Sequence, residues 1–415
     1  MEKKFPRKLD LTLDRQFKIL KKLGSPQDKL EQVISVVGTN SKYSICKSTM
    51  AILNEAGHKC NLFLSPHLQS YTERYIYNDN EISEENLIEL LEDIEKAIGD
   101  NPCSLFEALT CAYLKYAEQF KENVNIIESG LFFSGDSTNV FKKNLCSILG
   151  SIGLDHLNFL KNKTIDGVIH EKTEKLLNSN IFVNQQENNK IKLKIEKALE
   201  KNLSKKYFFG TDFNILKSEN GFIQYEDQLG SLILPEPNVL GDHQLFNIST
   251  AISVARTIFN VKDEHIKKGV TSIKLEGRLE EIKSGGNLNK FSKNKIYVDI
   301  AHNENAARAL RNWIDNSHSQ FHLIIGMMEE KKHFDFGSAL FKGSNKIKSI
   351  TLIDIPNTSG AISKENLKKK FSNLYKNIKA KENIFDAIKS LNTQLDDKIL
   401  ITGSAYLCGE VLNLN

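Results

Sequence analysis

A short polar segment from Gly38 to Ser44 carries residue types suited to binding a phosphate. It follows the β-branched run Val33–Val37, which predicts a strand, and it precedes a helical pattern that begins at Lys42. At such a junction the backbone N–H groups and the helix N-terminus favour an anion, Lys42 can reach its outer oxygens, and Ser44 can face Mg²⁺. Because Ser41 stands where phosphate loops usually have a glycine, the segment alone is also compatible with an ordinary strand–helix turn.

The elements around this segment alternate between strand and helix patterns. Further short strands are predicted at Val124–Ile127 and Ser147–Leu149, and surface helices at 83–98 and 104–120. This alternation is typical of a parallel sheet, whose sites lie at the carboxyl ends of its strands. A hairpin is predicted at Asn220–Gly221, where two turn residues separate apolar runs.

A polar, glycine-bearing stretch from Ile282 to Lys295 lacks any periodicity and predicts a domain boundary. We therefore expect a first domain at 1–283, a linker at 284–294 and a second, smaller α/β domain at 295–415. The strands predicted for this second domain are Ile296–Asp299, Leu323–Gly326, Ile350–Asp354 and Lys398–Thr402.

Composition excludes several classes of protein. The 415 residues hold 56 Lys and Arg against 52 Asp and Glu, and a net charge of +4 is too small to indicate a nucleic-acid or membrane-surface partner. The six cysteines have no CxxC spacing and no charged-then-apolar leader precedes them, so we expect reduced thiols and a cytoplasmic location. No apolar run approaches the ~20 residues needed to span a bilayer.

A series of motifs along the chain resembles the folylpolyglutamate synthase and dihydrofolate synthase family of Mur-ligase-like, ATP-dependent amide ligases. The family's phosphate loop GTNGKGS is here GTNSKYS, and its EVGLGGRLDATNV is here ESGLFFSGDSTNV. The other motifs, in the family's order, are LDLTLDR (9–15), LGSP (23–26), SPHL (65–68), SLFEALT (104–110), IGLDH (152–156), HEK (170–172), GDHQLFN (241–247), EGRLE (276–280), DIAHN (299–303) and GSAYLCGE (403–410).

The resemblance implies an α/β, Mur-ligase-like fold: a large P-loop-type ATPase domain with a parallel central sheet, and a smaller Rossmann-like C-terminal domain. It implies a bifunctional enzyme that ligates L-glutamate to dihydropteroate and to reduced folates through an acyl phosphate. We expect a monomer with no nucleic-acid or membrane partner. Two alternatives stay open: another Mur-like amino-acid ligase, and a non-catalytic nucleotide-binding relative whose loop no longer supports phosphoryl transfer.

By the same resemblance, metal ligands and catalytic groups can be assigned residue by residue. Ser44 and Glu128 are expected to bind the Mg²⁺ of the nucleotide, since hard cations prefer oxygen ligands. A second ion is expected on Glu128, His156 and Lys172, the lysine carrying a carbamate. Lys42, His156 and Lys172 are the expected catalytic residues.

The remaining expected contacts are with the nucleotide and the substrates. The ATP-binding residues are Thr39, Asn40, Lys42, Ser44, Asn247, Arg278, Asp299 and His302, the last two from the second domain. The substrate-binding residues are Ser65, Pro66, His67, Phe106, Glu107, Asp136 and Lys331.

The departures from the family pattern cluster around the phosphate loop. Ser41 and Tyr43 replace two glycines, and Phe132, Phe133 and Ser134 replace a Gly-Gly-Arg sequence. Glycine in such loops provides a positive φ or a close backbone approach to the ligand. Since Lys42 and Ser44 remain, we expect an altered but active enzyme.

Overall fold

The structure, a computed structural model, describes residues 12–217, 221–283 and 285–415. Leu9–Leu11 of the LDLTLDR motif, Asn220 of the predicted hairpin turn and Ser284 of the predicted linker lie outside these ranges. The strands are β1 (Val33–Val37), β2 (Cys60–Phe63), β3 (Tyr75–Tyr77), β4 (Asn80–Glu81), β5 (Val124–Glu128), β6 (Cys146–Leu149), β7 (Asn180–Val183), β8 (Lys206–Phe208), β9 (Phe213–Lys217), β10 (Phe222–Asp227), β11 (Gly230–Pro235), β12 (Glu280–Glu281), β13 (Ile296–Asp299), β14 (Phe321–Ile325), β15 (Ile347–Leu352), β16 (Ile378–Ala380) and β17 (Lys398–Thr402).

The α-helices alternate with these strands over most of the described chain. They are α1 (Asp14–Lys22), α2 (Lys42–Glu55), α3 (Glu84–Ile98), α4 (Leu105–Ala117), α5 (Ile165–Thr173), α6 (Asn189–Ala198), α7 (Asp242–Phe259), α8 (Asp263–Ser272), α9 (Glu304–Asp315), α10 (His333–Leu340), α11 (Lys364–Phe371), α12 (Ile384–Lys389) and α13 (Ala405–Leu414). Among the described residues, none of the helices has the length and apolar character needed to cross a membrane.

The chain divides into two compact units. The first comprises 1–65, 71–238 and 245–274, and the second comprises 66–70, 239–244 and 275–415. Arg278, expected with the first domain, is grouped with the second unit. The domain limits at 283 and 295 stay a prediction.

The first unit is built on an eight-stranded sheet in the order β4-β3-β2-β5-β1-β6-β7-β8. Six strands, β2, β5, β1, β6, β7 and β8, run parallel to one another. The strands β3 and β4 add an antiparallel edge next to β2. Every residue of β1 and β5 is buried, as expected for central strands covered on both faces. The prediction of a parallel central sheet is therefore confirmed, and it brings the ends of β1, β5 and β6 to one edge.

A separate antiparallel sheet, ordered β11-β10-β9, follows in the first unit. Ile223 of β10 faces Lys217 of β9, so the antiparallel pairing predicted around residues 217–225 is confirmed.

Helix α4 corrects one expectation, because most of its side chains are buried rather than lying on the surface. A capping box fixes its start: Ser104 accepts from the backbone N–H of Glu107, and Glu107 accepts from that of Ser104. Tyr113 on this helix packs against the rings of Phe63 and Tyr77 in an aromatic cluster. The sequence showed apolar residues around the whole helix, which indicates burial on all sides.

The second unit has a six-stranded sheet in the order β12-β13-β17-β14-β15-β16. All neighbours are parallel except the short edge pair β12–β13. This matches the smaller α/β domain expected from the sequence.

Candidate active site

The phosphate-loop segment joins β1 to α2, as predicted. Ser41 lies in the left-handed region with φ +74°, where a side chain is strained and glycine is usual. The serine thus occupies a glycine-type backbone position without changing the loop. Its hydroxyl lies 3.2 Å from that of Ser151.

Two of the expected ATP-binding residues are tied to the protein through their backbones. The N–H groups of Thr39 and Asn40 donate to the carbonyl oxygen of Ser151, at 3.0 and 3.1 Å. Donors for an anion must therefore come from the first turn of α2, whose leading N–H groups have no partner within the helix. Ser44 lies in this turn and is buried.

Lys42 and Glu128 meet beside the loop. Glu128 is the last residue of β5 and is 2% exposed, and its Oε1 lies 3.8 Å from Lys42 Nζ. Its Oε2 accepts from the backbone N–H of Ser65 at 3.0 Å. The adjacent hydroxyl of Ser129 is buried and has no hydrogen-bond partner among the described residues. Carboxylate and hydroxyl oxygens therefore gather where a hard cation could be held.

Lys172 approaches the same loop from α5. Its side chain is buried, and its Nζ donates to the carbonyl oxygen of Gly38 at 2.8 Å and to that of Leu131. Burial, and then the positive charge of Lys42, lower the pKa of Lys172 to about 7. A large fraction of this amine is therefore uncharged near neutral pH, unlike that of a surface lysine.

His156 lies in the loop after β6, with φ +52°. Its Nε2 is 3.7 Å from an oxygen of Asp155, and its side chain is about one-third exposed. Among the described residues, no three His, Cys, Asp or Glu side chains form a group able to hold a metal ion. The expected ligand set contains only two such residues, Glu128 and His156, with Ser44 and Lys172.

The Phe132-Phe133-Ser134 departure is accommodated by packing. Phe132 and Phe133 are 1% and 3% exposed, in a core with Val37 and Leu149. The Phe132 ring also lies under Lys172, with Nζ 5.3 Å from the ring centroid. The Phe132 ring therefore contributes to the burial of Lys172.

Four of the expected substrate-binding residues lie in the first unit. Phe106 is half-buried and packs so closely on Gly130 that a Cβ there would lie 2.5 Å from the ring. Glu107 closes the capping box of α4 and forms a 2.9 Å ion pair with Arg15. Asp136 accepts from the N–H groups of Leu131 and Thr138, at 2.9 and 3.0 Å. Ser65 contacts Glu128 as described above.

Arg278, Asp299 and His302 come together in the second unit. Asp299 accepts from the N–H groups of Leu279 and Ala301, at 2.9 and 2.8 Å. Burial raises the pKa of Asp299, and the neighbouring Arg278 charge opposes that rise. The carboxylate thus fixes the loops that carry Arg278 and His302. Of the other expected residues in this unit, Pro66 is exposed, and His67 and Lys331 are half-buried.

Asn247 lies on α7 in the first unit and is 2% exposed. It accepts a 2.8 Å hydrogen bond from Asn184, a residue that sequence reasoning missed. Asn184 and Gln186 directly follow β7, so the available signal was a polar run after a short apolar strand. A pocket of about 210 Å³ adjoins them, bounded also by Lys192, Phe208 and Phe209.

Comparisons with known proteins agree with this architecture. The family model for the C-terminal domain of dihydrofolate synthetase matches residues 287–414. A dihydrofolate synthase/folylpolyglutamate synthase of Buchnera aphidicola is 27% identical over 406 residues, covering 95% of this chain and 91% of the relative.

Solved structures have the same fold. E. coli FolC in complex with DHPP and ADP superimposes with a TM-score of 0.84 at 23% identity, covering 99% of this chain and 94% of that one. The bifunctional folylpolyglutamate synthase/dihydrofolate synthase of Yersinia pestis, complexed with AMPPNP and a Mn ion, also has a TM-score of 0.84, at 22% identity and 98% and 94% coverage. With motifs that span the chain, a matching C-terminal model and a shared fold, this chain is similar along its length to the folylpolyglutamate synthase and dihydrofolate synthase family.

Proposed function

We propose that this protein is a bifunctional dihydrofolate synthase and folylpolyglutamate synthase, which ligates L-glutamate to dihydropteroate and to reduced folates at the expense of ATP. The observation that carries the proposal is the convergence of Lys42, Glu128 and Lys172 on the loop between β1 and α2. The names of the relatives support this substrate class. Making an amide from a carboxylate requires activation of the acid, and phosphorylation by ATP supplies it.

ATP is proposed to place its phosphates at the N-terminus of α2. The first-turn N–H groups and Lys42 bind the terminal oxygens, while Thr39 and Asn40 hold the loop through Ser151. Asn247, Arg278, Asp299 and His302 are proposed as further contacts of the nucleotide. Arg278 suits this role because its guanidinium binds phosphate with two donors and stays charged.

Mg²⁺ is proposed to bind through Ser44 and Glu128, since the buried carboxylate and the hydroxyl are ligands that a hard cation prefers. When bound, the ion neutralises the phosphate oxygens and so eases attack at phosphorus. Lys42 Nζ lies 3.8 Å from the same carboxylate. Two ions are proposed in all, the second on Glu128, His156 and a carbamylated Lys172.

The proposed carbamate is supported by the environment of Lys172. Carbon dioxide adds to an uncharged amine, and the lowered pKa makes that form accessible at neutral pH. The modification would replace a cation next to Lys42 by an anion, which relieves the repulsion that helps to lower the pKa.

The pterin-bearing acid is proposed to lie near Ser65, Pro66, His67 and Phe106. Because the carboxylates of Glu107 and Asp136 are already bonded to backbone N–H groups, these residues are proposed to shape the substrate site through the loops that they fix. Lys331 is proposed as a glutamate contact. The substrate carboxylate attacks the γ-phosphorus of ATP, and ADP leaves. The glutamate amine then attacks the carbonyl carbon of the acyl phosphate, phosphate leaves, and the nitrogen loses a proton to solvent.

Phosphate release tests the proposal. The purified protein with ATP and Mg²⁺ should release phosphate only when both glutamate and either dihydropteroate or a folate are present. Hydroxylamine should trap the acyl phosphate as a hydroxamate when glutamate is omitted. Release with a peptidoglycan precursor instead would indicate another Mur-like ligase, and ATP binding without release under any condition would indicate a non-catalytic relative. The monomeric state and the cytoplasmic location stay predictions.

A further inference from the structure

Two buried amide side chains link the expected nucleotide contact on α7 to the phosphate loop. They belong to Asn184 and Gln186, which are 3% and 5% exposed and lie just past the carboxyl end of β7. Neither residue is among the site residues expected from the sequence. Both lie in the first unit, so their contacts are independent of the second.

Gln186 uses every hydrogen-bonding group of its amide. Its Oε1 accepts from the backbone N–H of Ile152 at 3.0 Å. Its Nε2 donates to the carbonyl oxygens of Gly150 at 3.3 Å and Asn184 at 2.8 Å. One acceptor and two donors are required at this position, and among uncharged side chains of this size only glutamine provides them.

The segment held by Gln186 in turn holds the phosphate loop. The carbonyl oxygen of Ser151 accepts from both Thr39 and Asn40, and the Thr39 hydroxyl exchanges hydrogen bonds with Gly153 at 3.0 and 3.1 Å. The backbones approach so closely that a Cβ on Gly150 would lie 2.7 Å from the carbonyl oxygen of Asn40. A shift of residues 150–153 therefore displaces the loop.

Asn184 makes the other half of the link. Its Nδ2 donates to Asn247 at 2.8 Å, and its Oδ1 accepts from the Thr250 hydroxyl at 3.0 Å. Both partners are on α7. A continuous set of hydrogen bonds therefore runs from α7 through Asn184 and Gln186 to the loop between β1 and α2.

We infer that Gln186 and Asn184 are positioning residues, which set the placement of the phosphate loop relative to Asn247 and thereby the affinity for ATP. This inference rests on the proposed function, because it assumes that ATP bridges the loop and Asn247. Substitutions of Gln186 or Asn184 should therefore alter the binding of the nucleotide and leave the binding of the acid and of glutamate unchanged.

Gln186→Glu tests the inference with almost no change in shape. The carboxylate still accepts from Ile152 but turns a negative oxygen toward two carbonyl oxygens, which opposes the native geometry. The KM for ATP should rise about tenfold or more, the size expected when a buried hydrogen bond is lost, while the other two KM values stay within about twofold. Lowering the pH from about 8 to 6 should partly restore ATP affinity, because the protonated acid can donate one of the lost bonds.

Asn184→Asp is the second variant. It retains the acceptor for Thr250 and loses the donor to Asn247, so it should show the same selective rise in the KM for ATP. Gln224→Glu, a half-buried glutamine on β10, introduces the same charge elsewhere and should leave all three KM values unchanged. Direct ADP binding by calorimetry and thermal unfolding of each variant accompany the kinetics.

The outcomes separate the inference from the proposed function. If the wild-type protein neither binds nucleotide nor ligates glutamate, the proposed function fails and the inference with it. If the wild-type protein ligates glutamate but both variants keep the wild-type KM for ATP, only the inference is wrong. It is also wrong if all three KM values rise together, if the Gln186→Glu profile does not change with pH, or if neither variant folds, since positioning predicts folded proteins.

Discussion

Each unit has a buried cluster of ionisable side chains at one end of its parallel strands. The cluster of the first unit lies at the carboxyl ends of its strands, and that of the second unit lies at the amino ends. In the first unit, Lys42, Glu128 and Lys172 lie near the carboxyl ends of β1 and β5. In the second unit, the cluster of His322, Lys348, Ser349 and Asp397 lies near the amino ends of β14, β15 and β17, and we call it the amino-end cluster.

The amino-end cluster has the residue types and the order of a Ser–His–Asp arrangement. His322 Nδ1 is 2.7 Å from the Ser349 hydroxyl, and its Nε2 is 3.2 Å from Asp397. Asp397 also accepts from Lys348 at 3.1 Å and from the backbone N–H of Gln394 at 2.8 Å. Charge is balanced, and the groups bond to one another across three neighbouring strands. Such an arrangement stabilises the sheet.

The site in the first unit differs in charge and in the partners of its side chains. Lys42 Nζ lies 3.8 Å from Glu128, whereas Lys172 donates to backbone carbonyl oxygens and has no carboxylate within ion-pair distance among the described residues. Asp136 and Asp155 act on Lys172 from farther away. The pKa of Lys172 is lowered because the repulsion from Lys42 adds to burial. The two clusters differ in pairing: a buried amine without a directly paired carboxylate fits a binding site, whereas side chains that are bonded to one another fit a structural role.

The largest expected effect comes from removing the carboxylate of Glu128. Glu128→Ala should lower ligation by roughly 10²–10³-fold or more, because charge at the phosphates is no longer neutralised. Unfolding should remain cooperative, since the residue ends β5 and is not part of the apolar core. Phosphate release and a thermal melt measure the two effects. Near wild-type turnover would remove Glu128 from the site.

Lys172→Ala should also abolish turnover, and acetate should partly restore it by occupying the position of the carbamate. In wild-type protein supplied with ¹³C-bicarbonate, the carbamate signal should appear as the pH rises through about 7, because the amine is protonated below its pKa and cannot add carbon dioxide. Activity should fall over the same range as the pH is lowered. NMR of the variant, which should lack the signal, identifies the lysine.

An unchanged signal in Lys172→Ala, with normal turnover, would contradict both the carbamate and the second metal site. Lys163→Ala, which removes an exposed lysine, is the matched control and should keep both the signal and normal turnover.

Asp397→Ala should affect stability rather than catalysis. It leaves His322 and Lys348 without their carboxylate, so the free energy of unfolding should fall by about 1–3 kcal/mol, while turnover per folded molecule is retained. Bonding to Lys348, Gln394 and His322 holds the pKa of Asp397 below its usual range despite burial, and burial lowers that of His322. Both groups bind protons less readily when folded, so the wild-type protein should lose stability as the pH falls below the usual histidine range.

In the variant the pKa of His322 should fall further, because Asp397 no longer raises it, so the loss of stability between pH 7 and pH 5 should be at least as large as in the wild-type protein. Urea unfolding at pH 7 and pH 5 measures it, with Ser349→Ala as a milder control that retains the charged pair. A loss of turnover equal to that of Glu128→Ala would contradict the distinction between the two clusters.

Much of the strand pattern could be predicted because central parallel strands are short apolar runs. β1, β13 and β17 begin and end where the sequence predicts. The spacing of Leu367, Phe371, Leu374 and Ile378 predicts one apolar helical stripe. This prediction is wrong, since α11 ends at Phe371 and Ile378 begins β16. Spacing alone could not separate an apolar helix face from a turn followed by an edge strand.

The residues of the site could be predicted only where a family motif contains them. Lys42, Glu128 and Lys172 were named from the family pattern, and the structure brings them to one loop. Asn184 and Gln186 were missed because their role depends on which backbone atoms lie nearby, and that depends on the order of β6 and β7 in the sheet. Conversely, Glu107 and Asp136 were named as substrate contacts, but their bonds to backbone N–H groups could not be seen in the motifs.

The smallest expected effect concerns Ser41, whose φ of +74° suits glycine. Ser41→Gly should relieve strain of about 1 kcal/mol. Glycine's larger unfolded-state entropy opposes this by roughly 0.5–1 kcal/mol, and the contact with the Ser151 hydroxyl is lost. The melting temperature and the KM for ATP should therefore change little.

Ser41→Val should destabilise by about 1–3 kcal/mol and raise the KM for ATP, because a β-branched side chain resists positive φ. Ser151→Ala removes the same hydroxyl contact without altering the backbone, so it separates the two causes. Equal behaviour of the glycine and valine variants would show that the loop does not need the left-handed conformation at this position.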